Sequence, residues 1–437
     1  MVMKIKYCLL LFAVVFSGHS AFCQAANWNL APPSTVLLDT SAVGAVSQMS
    51  GVTYLGLSPL PATTLLHRFA AVQNEGGVLL TFDVVFDPDG TLFLAKAVSS
   101  QILSPSFDFE GIAYTSSTRN SVYLAEENTP GVREFSLATG SQLQNVAIPP
   151  VFGNSRANRG FESLARSPDG TTMWTANEQA LTVDGPLATS SAGTTVRLLR
   201  MDVAGDSVSP AEQYAYEVDP IHGTSTIGSP QSGLSDLVLL PDGTLLALER
   251  SVAFTSPLYL NRIYEVDPAG ATDLSDETFD SGLFGENYVP VSKQILWSGA
   301  IDGSSGQNLE GLTLGPRLAN GDWVLLGVVD DGDPVSQNTI VAFTLSANPS
   351  ADFDSDGDID GSDFLSWQRG VGISIGATHA EGDADRDGDV DADDLAFWQS
   401  AYSAPLSGLP LAVPEPLSNT LLLGLLVPMI ASGRWRS

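Results

Sequence analysis

Four stretches of the chain repeat one grammar: FDFEGIAY…NSVYLAEEN (107–128), GFESLARSPDGTTMWTANEQ (160–179), GLSDLVLLPDGTLLALER (233–250) and NLEGLTLG…GDWVLLGVVDDG (308–332). Each runs from an acid through a small or apolar step to a short apolar strand, a turn, a second strand and further acids. A hairpin repeated at long intervals points to stacked copies of one unit, each burying its apolar faces against its neighbours. Residues 27–349 keep strand chemistry throughout, with Asp-Gly or Asn-Gly turn signals at DPDG (87–90), SPDG (167–170), LPDG (240–243) and ANGD (319–322). No long segment holds a helical period. The domain is large for a single sandwich, so the repetition selects an all-β class and, within it, a β-propeller. The acidic heads Glu110, Glu162, Asp236 and Glu310 stand 52, 74 and 74 residues apart, whereas a four-stranded blade takes about 40–50. A further head, SGVTYLG (50–56), carries no acid. The expectation is about six blades, with five and seven open. Asp83, 27 residues before Glu110, is too close to head a blade and reads as part of an outer hairpin.

In a propeller the innermost strand of every blade lines a central channel, so acids at strand heads would converge on the axis. Glu126, Glu127, Glu178, Glu249, Asp330 and Asp331 would crowd the same face. Carboxylates gathered this way repel one another unless a cation sits among them. The alternative is that each head acid accepts backbone amides in a turn; four heads in one register favour convergence.

The segments FDFEGIAY, YLAEEN, NRGFESLARSPDGTTMWTANEQAL and TVRLLR resemble the phytase-like domain family, also described as having esterase-like activity of phytase. The resemblance covers most of residues 45–345 and is strongest over 107–200. It implies a β-propeller and a calcium-assisted phosphoester hydrolase, with Glu110, Glu162, Glu178 and Glu310 holding the ions and Arg159 steadying the phosphate. Asp236 is a shortened equivalent of the family's Glu-Gly/Ser step. Arg156, Arg197, Arg200 and Arg250 are the other basic groups near these motifs, a sparse set for a polyphosphorylated substrate. A conventional serine esterase is the weaker reading, since the only G-x-S-x-G match, GISIG (372–376), lies between acidic loops rather than on a strand-to-helix elbow. His67 and His222 are isolated. The competing class is a non-catalytic surface propeller that binds a partner or glycan.

Beyond the propeller region, DFDSDGDIDGSD (352–363) and DADRDGDVDADD (383–394) share one spacing. Positions 1, 3, 5, 9 and 12 are Asp352, Asp354, Asp356, Asp360 and Asp363 in the first loop, and Asp383, Asp385, Asp387, Asp391 and Asp394 in the second. Gly357 and Gly388 stand at position 6, and Asp358 and Asp389 at position 7 would offer backbone carbonyls. This is an EF-hand-type calcium loop: a hard ion takes about six to eight oxygens, and the glycine permits the sharp turn. Each loop runs into a short helix, FLSWQRG or LAFWQSA, with Trp367 and Trp398 at equivalent places, so two small units can share one aromatic core. Residues 350–402 resemble a type I dockerin, which implies a cohesin-like partner. Positions 10 and 11, Gly361-Ser362 and Ala392-Asp393, depart from that family's small-hydroxyl pairs.

The termini read as addresses. Lys4, Lys6 and the apolar run YCLLLFAVVF mark residues 1–26 as a signal peptide cleaved near Ala25. Both cysteines, Cys8 and Cys23, lie within it, which leaves no disulfide. After a linker (403–412), residues 413–437 set VPEP before an apolar run of about 16 residues, short for a spanning helix, and then Arg434 and Arg436. The order resembles the PEP-CTERM sorting signal of Gram-negative bacteria and implies sorting machinery as a partner and a cell-surface, matrix or membrane-anchored location. A net charge of −31 argues against nucleic acid. The loops hold −12 of it and −19 remains elsewhere.

Overall fold

The computed structural model describes residues 26–402, apart from 60–64, 75, 225–227, 304 and 355–357. The expected signal peptide, the linker and the sorting segment lie outside the described residues, as do Asp356 and Gly357 of the first loop. Among the described residues no helix is long and apolar enough to cross a membrane.

The chain opens with two short strands, β1 (Trp28–Leu30) and β2 (Ser34–Leu37), and then builds four-stranded antiparallel sheets in sequence order. Blade 1 is β3 (Met49–Leu57), β4 (His67–Gln73), β5 (Val78–Phe86) and β6 (Leu92–Ile102); blade 2 is β7 (Phe109–Tyr114), β8 (Ser121–Glu126), β9 (Gly131–Ser136) and β10 (Gln142–Val146). Blade 3 is β11 (Ala165–Arg166), β12 (Thr172–Ala176), β13 (Thr194–Ala204) and β14 (Ser207–Val218); blade 4 is β15 (Gln231–Leu239), β16 (Leu245–Val252), β17 (Tyr259–Asp267) and β18 (Ser292–Gly299). Blade 5 joins β19 (Asn308–Arg317), β20 (Trp323–Asp330) and β21 (Thr339–Ala347) to β1, with β2 also paired to β21.

The β-propeller expectation therefore holds, and the blade count is corrected from six to five. Each 74-residue interval between heads contains one blade enlarged by an insertion, 177–193 in blade 3 and 268–291 in blade 4. Asp83 lies on β5 and pairs with Arg68 at 2.8 Å, in the outer part of blade 1. The turn signals close β5–β6, β11–β12, β15–β16 and β19–β20. At the third, Gly243 takes φ +85° and donates to the Leu240 carbonyl at 3.0 Å, a backbone that glycine adopts without steric cost.

Five apolar clusters fill the five gaps between adjacent blades. One joins Phe69 and Phe82 of blade 1 to Val324 and Ile340 of blade 5, and another joins Trp174 and Tyr216 of blade 3 to Leu237 and Leu245 of blade 4. Because each sheet is covered on both faces, its strands read as apolar runs more than as alternation. Each large buried side chain contributes about 1.5–3 kcal/mol. The ring closes by pairing an N-terminal strand with a C-terminal one, Trp28 opposite Ala347, which protects the last sheet edge.

Past the propeller come α1 (Gly361–Gly370) and α2 (Ala392–Tyr402). They are related by an internal pseudo-twofold. Trp367 Nε1 donates to the Asp391 carbonyl at 2.8 Å, and Trp398 Nε1 donates to the Asp360 carbonyl at 3.0 Å. The expected equivalence of the two tryptophans is thus a reciprocal hydrogen bond between the units.

Candidate functional site

The head acids owe their direction to an irregularity shared by the inner strands. The antiparallel register slips between Phe109 and Ile112 in β7, Leu234 and Asp236 in β15, and Leu309 and Gly311 in β19. A bulge re-aims the side chain it carries. The small residue after the acid has its own cause, because neighbouring inner strands touch backbone to backbone around the axis. A Cβ on Gly111 would lie 2.4 Å from the Ser163 carbonyl carbon, and one on Gly311 would lie 2.4 Å from the Ser50 oxygen. At Glu110 and Glu310 the acid-then-small-residue grammar is thus a bulge aimed at the channel beside a close strand contact.

Three of the five blades contribute acids to one centre at this end of the channel. Blade 2 supplies Asp108, Glu110 and Glu127, the segments of blade 3 supply Glu162 and Glu178, and blade 5 supplies Glu310 and Asp330. Asp108, Glu110 and Glu127 each place an oxygen within 4.8 Å of the other two, and so do Glu127, Glu162 and Glu178. The two triads share Glu127. All donors are carboxylate oxygens, the set a hard divalent cation takes, so the residues fit calcium. Glu110, Glu127, Glu178 and Glu310 are buried, while Glu162, Asp108 and Arg159 are partly exposed at the mouth.

Two arginines stand among these acids. Arg250, on β16, donates through Nη2 to Glu178 at 2.7 Å and through Nη1 to Asn308 at 2.9 Å, and pairs with Glu310 at 2.5 Å. Asn308 also donates to Glu310 at 2.9 Å. Arg159 faces Glu178 Oε2 at 3.1 Å and donates to Gln231. Burial pushes the Glu127 carboxyl up to about 7 and the Glu310 carboxyl up to about 8, although Arg250 opposes the latter. Burial, and then the surrounding carboxylates, hold Glu110 and Glu162 well above the usual range. Burial works against the Arg250 charge, yet Glu310 and Glu178 keep its pKa above the ordinary guanidinium value.

Glu110, Glu162, Glu178, Glu310 and Arg159 are therefore brought together. Asp236 is not: its oxygens accept the Leu237 amide at 2.8 Å and the Leu312 amide at 2.7 Å, pinning blade 4 to blade 5. For this one head the backbone-capping alternative describes the residue. Several of the loop acids also point elsewhere. Glu249 accepts from the Tyr216 hydroxyl at 2.7 Å, Glu126 pairs with Arg133 at 2.6 Å, and Asp331 accepts the Gln48 amide at 2.7 Å. Arg156 donates to the carbonyls of Ala180 and Gly185, and Arg197 is buried against Asp184 at 2.8 Å. Sequence reasoning gave Arg250 no special weight and passed over Asp108 and Asn308. Asp108 and Asn308 each stand two residues before a head acid, which is the only signal they carry.

The C-terminal loops gather acids in the same paired way. Asp352, Asp354 and Asp363 form one group; Asp383, Asp385 and Asp394 form another; Asp389 and Asp391 also approach Asp394. Asp363 Oδ1 accepts the Phe353 amide at 2.6 Å and its Oδ2 accepts the Asp360 amide at 2.7 Å. Asp394 repeats this with the amides of Ala384 and Asp391, both at 2.7 Å. Asp360 and Asp391 cap their helices by accepting from Ser362 and Asp393. Gly388 takes φ +89° at the expected turn. Asp387 accepts the Asp389 amide of its own loop at 3.0 Å through one oxygen and pairs with Arg317 of β19 at 2.7 Å through the other.

The chain resembles, over 72% of its length and 95% of theirs, a solved luciferin-regenerating enzyme at 10% identity and a TM-score of 0.32. It resembles an endo-arabinase from Bacteroides thetaiotaomicron at 12% identity and a TM-score of 0.38, over 72% of this chain and 99% of that one. These likenesses are too distant to carry a functional argument. No curated protein matches the chain. A family model for the phytase-like domain, described as esterase-like activity of phytase, matches residues 56–333. That span begins in β3 and ends just past β20, takes in every acid of the channel centre, and fills well over half the chain; the protein belongs to the phytase-like family.

Proposed function

We propose that the protein is an exported, cell-surface hydrolase of phosphoric esters that works with calcium at the acidic end of its channel. The observation that carries this reading is the pair of carboxylate triads sharing Glu127, with Arg159 at the same mouth. Asp108, Glu110, Glu127, Glu162 and Glu178 would hold the cation, with Glu310 supporting them through Arg250. Bound calcium would offset the charge of a phosphate ester and activate a water for in-line attack. Arg159, partly exposed and already within reach of Glu178, would grip the phosphate through its planar donors. Arg250 keeps Glu178 and Glu310 in place across three blades. Asp352, Asp354, Asp356, Asp358, Asp360 and Asp363, and their counterparts from Asp383 to Asp394, would form a dockerin-like pair of calcium loops facing a cohesin-like partner. Export by the N-terminal signal and recognition of the PEP segment by sorting machinery complete the reading.

Its test is phosphate release from phytate and from a simple aryl phosphate, measured in calcium and in chelator. Release is expected only in calcium, with a drop of at least about 100-fold in Glu162→Gln. Equal release in chelator, or none in either condition, would sink it.

A second reading, a propeller that binds a partner or glycan without turnover, draws on the other mouth of the channel. There a cavity of about 550 Å³ is lined by Tyr54, His67, Tyr114, Arg166, Arg317 and Trp323 among others, the mix of aromatic and polar groups typical of small-molecule sites.

A further inference from the structure

The helical unit is fastened to the propeller at the place where the ring closes. Arg386, the fourth residue of the second acidic loop, sits between Asp385 and Asp387 in a left-handed backbone of φ +58°. Its Nη1 pairs with Asp242 of the β15–β16 turn at 3.1 Å, and its Nη2 donates to Asn27 Oδ1 at 2.6 Å. Arg386 and Asp242 are each only 5% exposed. Asp242 also accepts from Trp28 Nε1 at 3.3 Å, and Trp28 begins the strand that completes blade 5. Asn27 binds Glu265 of blade 4 through its amide and side chain at 2.9 and 2.6 Å, while its carbonyl accepts the Asn348 amide at 2.7 Å. The Ser350 amide reaches the Ala384 carbonyl at 3.0 Å. Arg317 to Asp387 adds a contact from blade 5.

One loop thus touches both chain ends of the propeller, a blade-4 turn and a blade-5 strand. Asp383 of the loop stands close to Asp242, with Arg386 as the cation between the loop and both Asp242 and Glu265 and Arg317 paired to Asp387. A charged arginine buried against a carboxylate is costly to place unless its backbone is fixed, and here that backbone lies inside the run of carboxylates.

We infer that the second acidic loop is a cation-dependent clamp on the ring closure: a divalent cation held by Asp383, Asp385 and Asp394 fixes the loop in the shape that delivers Arg386 to Asp242 and Asn27. This rests on the reading of the loops as calcium sites. It extends that reading, since the ion's effect is on the propeller rather than on the helical unit alone. The first loop carries Ser355 rather than an arginine at its fourth position.

The test is thermal unfolding of the full chain with calcium and with chelator, with ion stoichiometry read by titration calorimetry on the same samples. Any channel ion contributes equally to every variant, so the differences between variants carry the result. Calcium is expected to raise Tm by roughly 5 °C in the wild type, as fully in Asp352→Ala of the first loop, and by much less in Asp383→Ala of the second. Arg386→Gln should bind as many ions as the wild type and still lose that part of the rise. Should Arg386→Gln fail to fold, Asn27→Ala, which removes its second acceptor, should show the same loss in part. A full rise in Arg386→Gln or Asn27→Ala with unchanged stoichiometry would overturn the clamp and leave the calcium loops standing. Stoichiometry unaltered by Asp352→Ala and Asp383→Ala would overturn both.

Discussion

At the scale of the residue, Arg250 decides how so many buried acids coexist. It lies one position after Glu249, and neighbours on a strand face opposite ways. Glu249 enters the gap between blades 3 and 4, while Arg250 reaches Glu178 and Glu310 at the axis. Its cross-strand partner is Gly233, where a Cβ would lie 2.7 Å from Glu178 Cγ. Removing the guanidinium leaves buried Glu310 without its cation and Glu178 with Arg159 alone. Arg250→Met is therefore expected to cost about 3–5 kcal/mol at pH 8, read from urea unfolding in chelator. The cost should shrink at pH 5, where Glu310 takes up a proton. An equal cost at both values would show that packing, not charge, is what Arg250 supplies. The head acids were legible in the sequence because they repeat in register. Arg250 was not, because its role depends on a face of β16 that the pattern of apolar residues does not mark.

At the scale of the element, the bulge and the close strand contact share one origin. Inner strands of five blades meet around a narrow axis, and at Gly51, Gly111 and Gly311 the missing side chain lets the backbones approach. Gly111→Ala would place a methyl group 2.4 Å from the Ser163 backbone, which cannot move without parting blades 2 and 3. We expect a loss of about 3 kcal/mol, against under about 0.5 kcal/mol for Gly153→Ala, where a Cβ meets nothing within 4 Å. Comparable losses in the two variants would contradict the close-contact account. The hairpins were legible from their Asp-Gly turns, and so was the outer placement of Asp83. The blade count was not. Insertions at 177–193 and 268–291 stretch two intervals beyond the repeat, so that each could hold one blade or parts of two, although the acid-free head at Ser50 was itself legible. Asp236 looked like the other heads and is not one of the cluster, because the shorter side chain meets the amides of Leu237 and Leu312 instead.

At the scale of the whole molecule, a propeller with acids at its axis is under electrostatic tension that either protons or a cation can relieve. Glu127 and Glu310 have folded-state pKa values raised to about 7 and about 8, above the ordinary carboxyl value of about 4.3. At these two groups the folded protein therefore binds more protons than the unfolded chain between those limits, so their contribution to stability is full below about pH 4 and is lost as pH rises through 7 and 8. A cation seated among the carboxylates takes the place of those protons and removes the slope. The sharpest test of the channel as a cation site is unfolding free energy from pH 5 to pH 8, in calcium and in chelator, on a chain whose C-terminal loops carry Asp352→Ala and Asp383→Ala. In chelator a fall on the order of 6 kcal/mol is expected across that range from these two groups, and calcium should restore most of it at pH 8, but not in Glu162→Gln. A flat profile in chelator, or a slope that calcium leaves untouched, would contradict the account and make the channel carboxylates a purely structural lattice around Arg250.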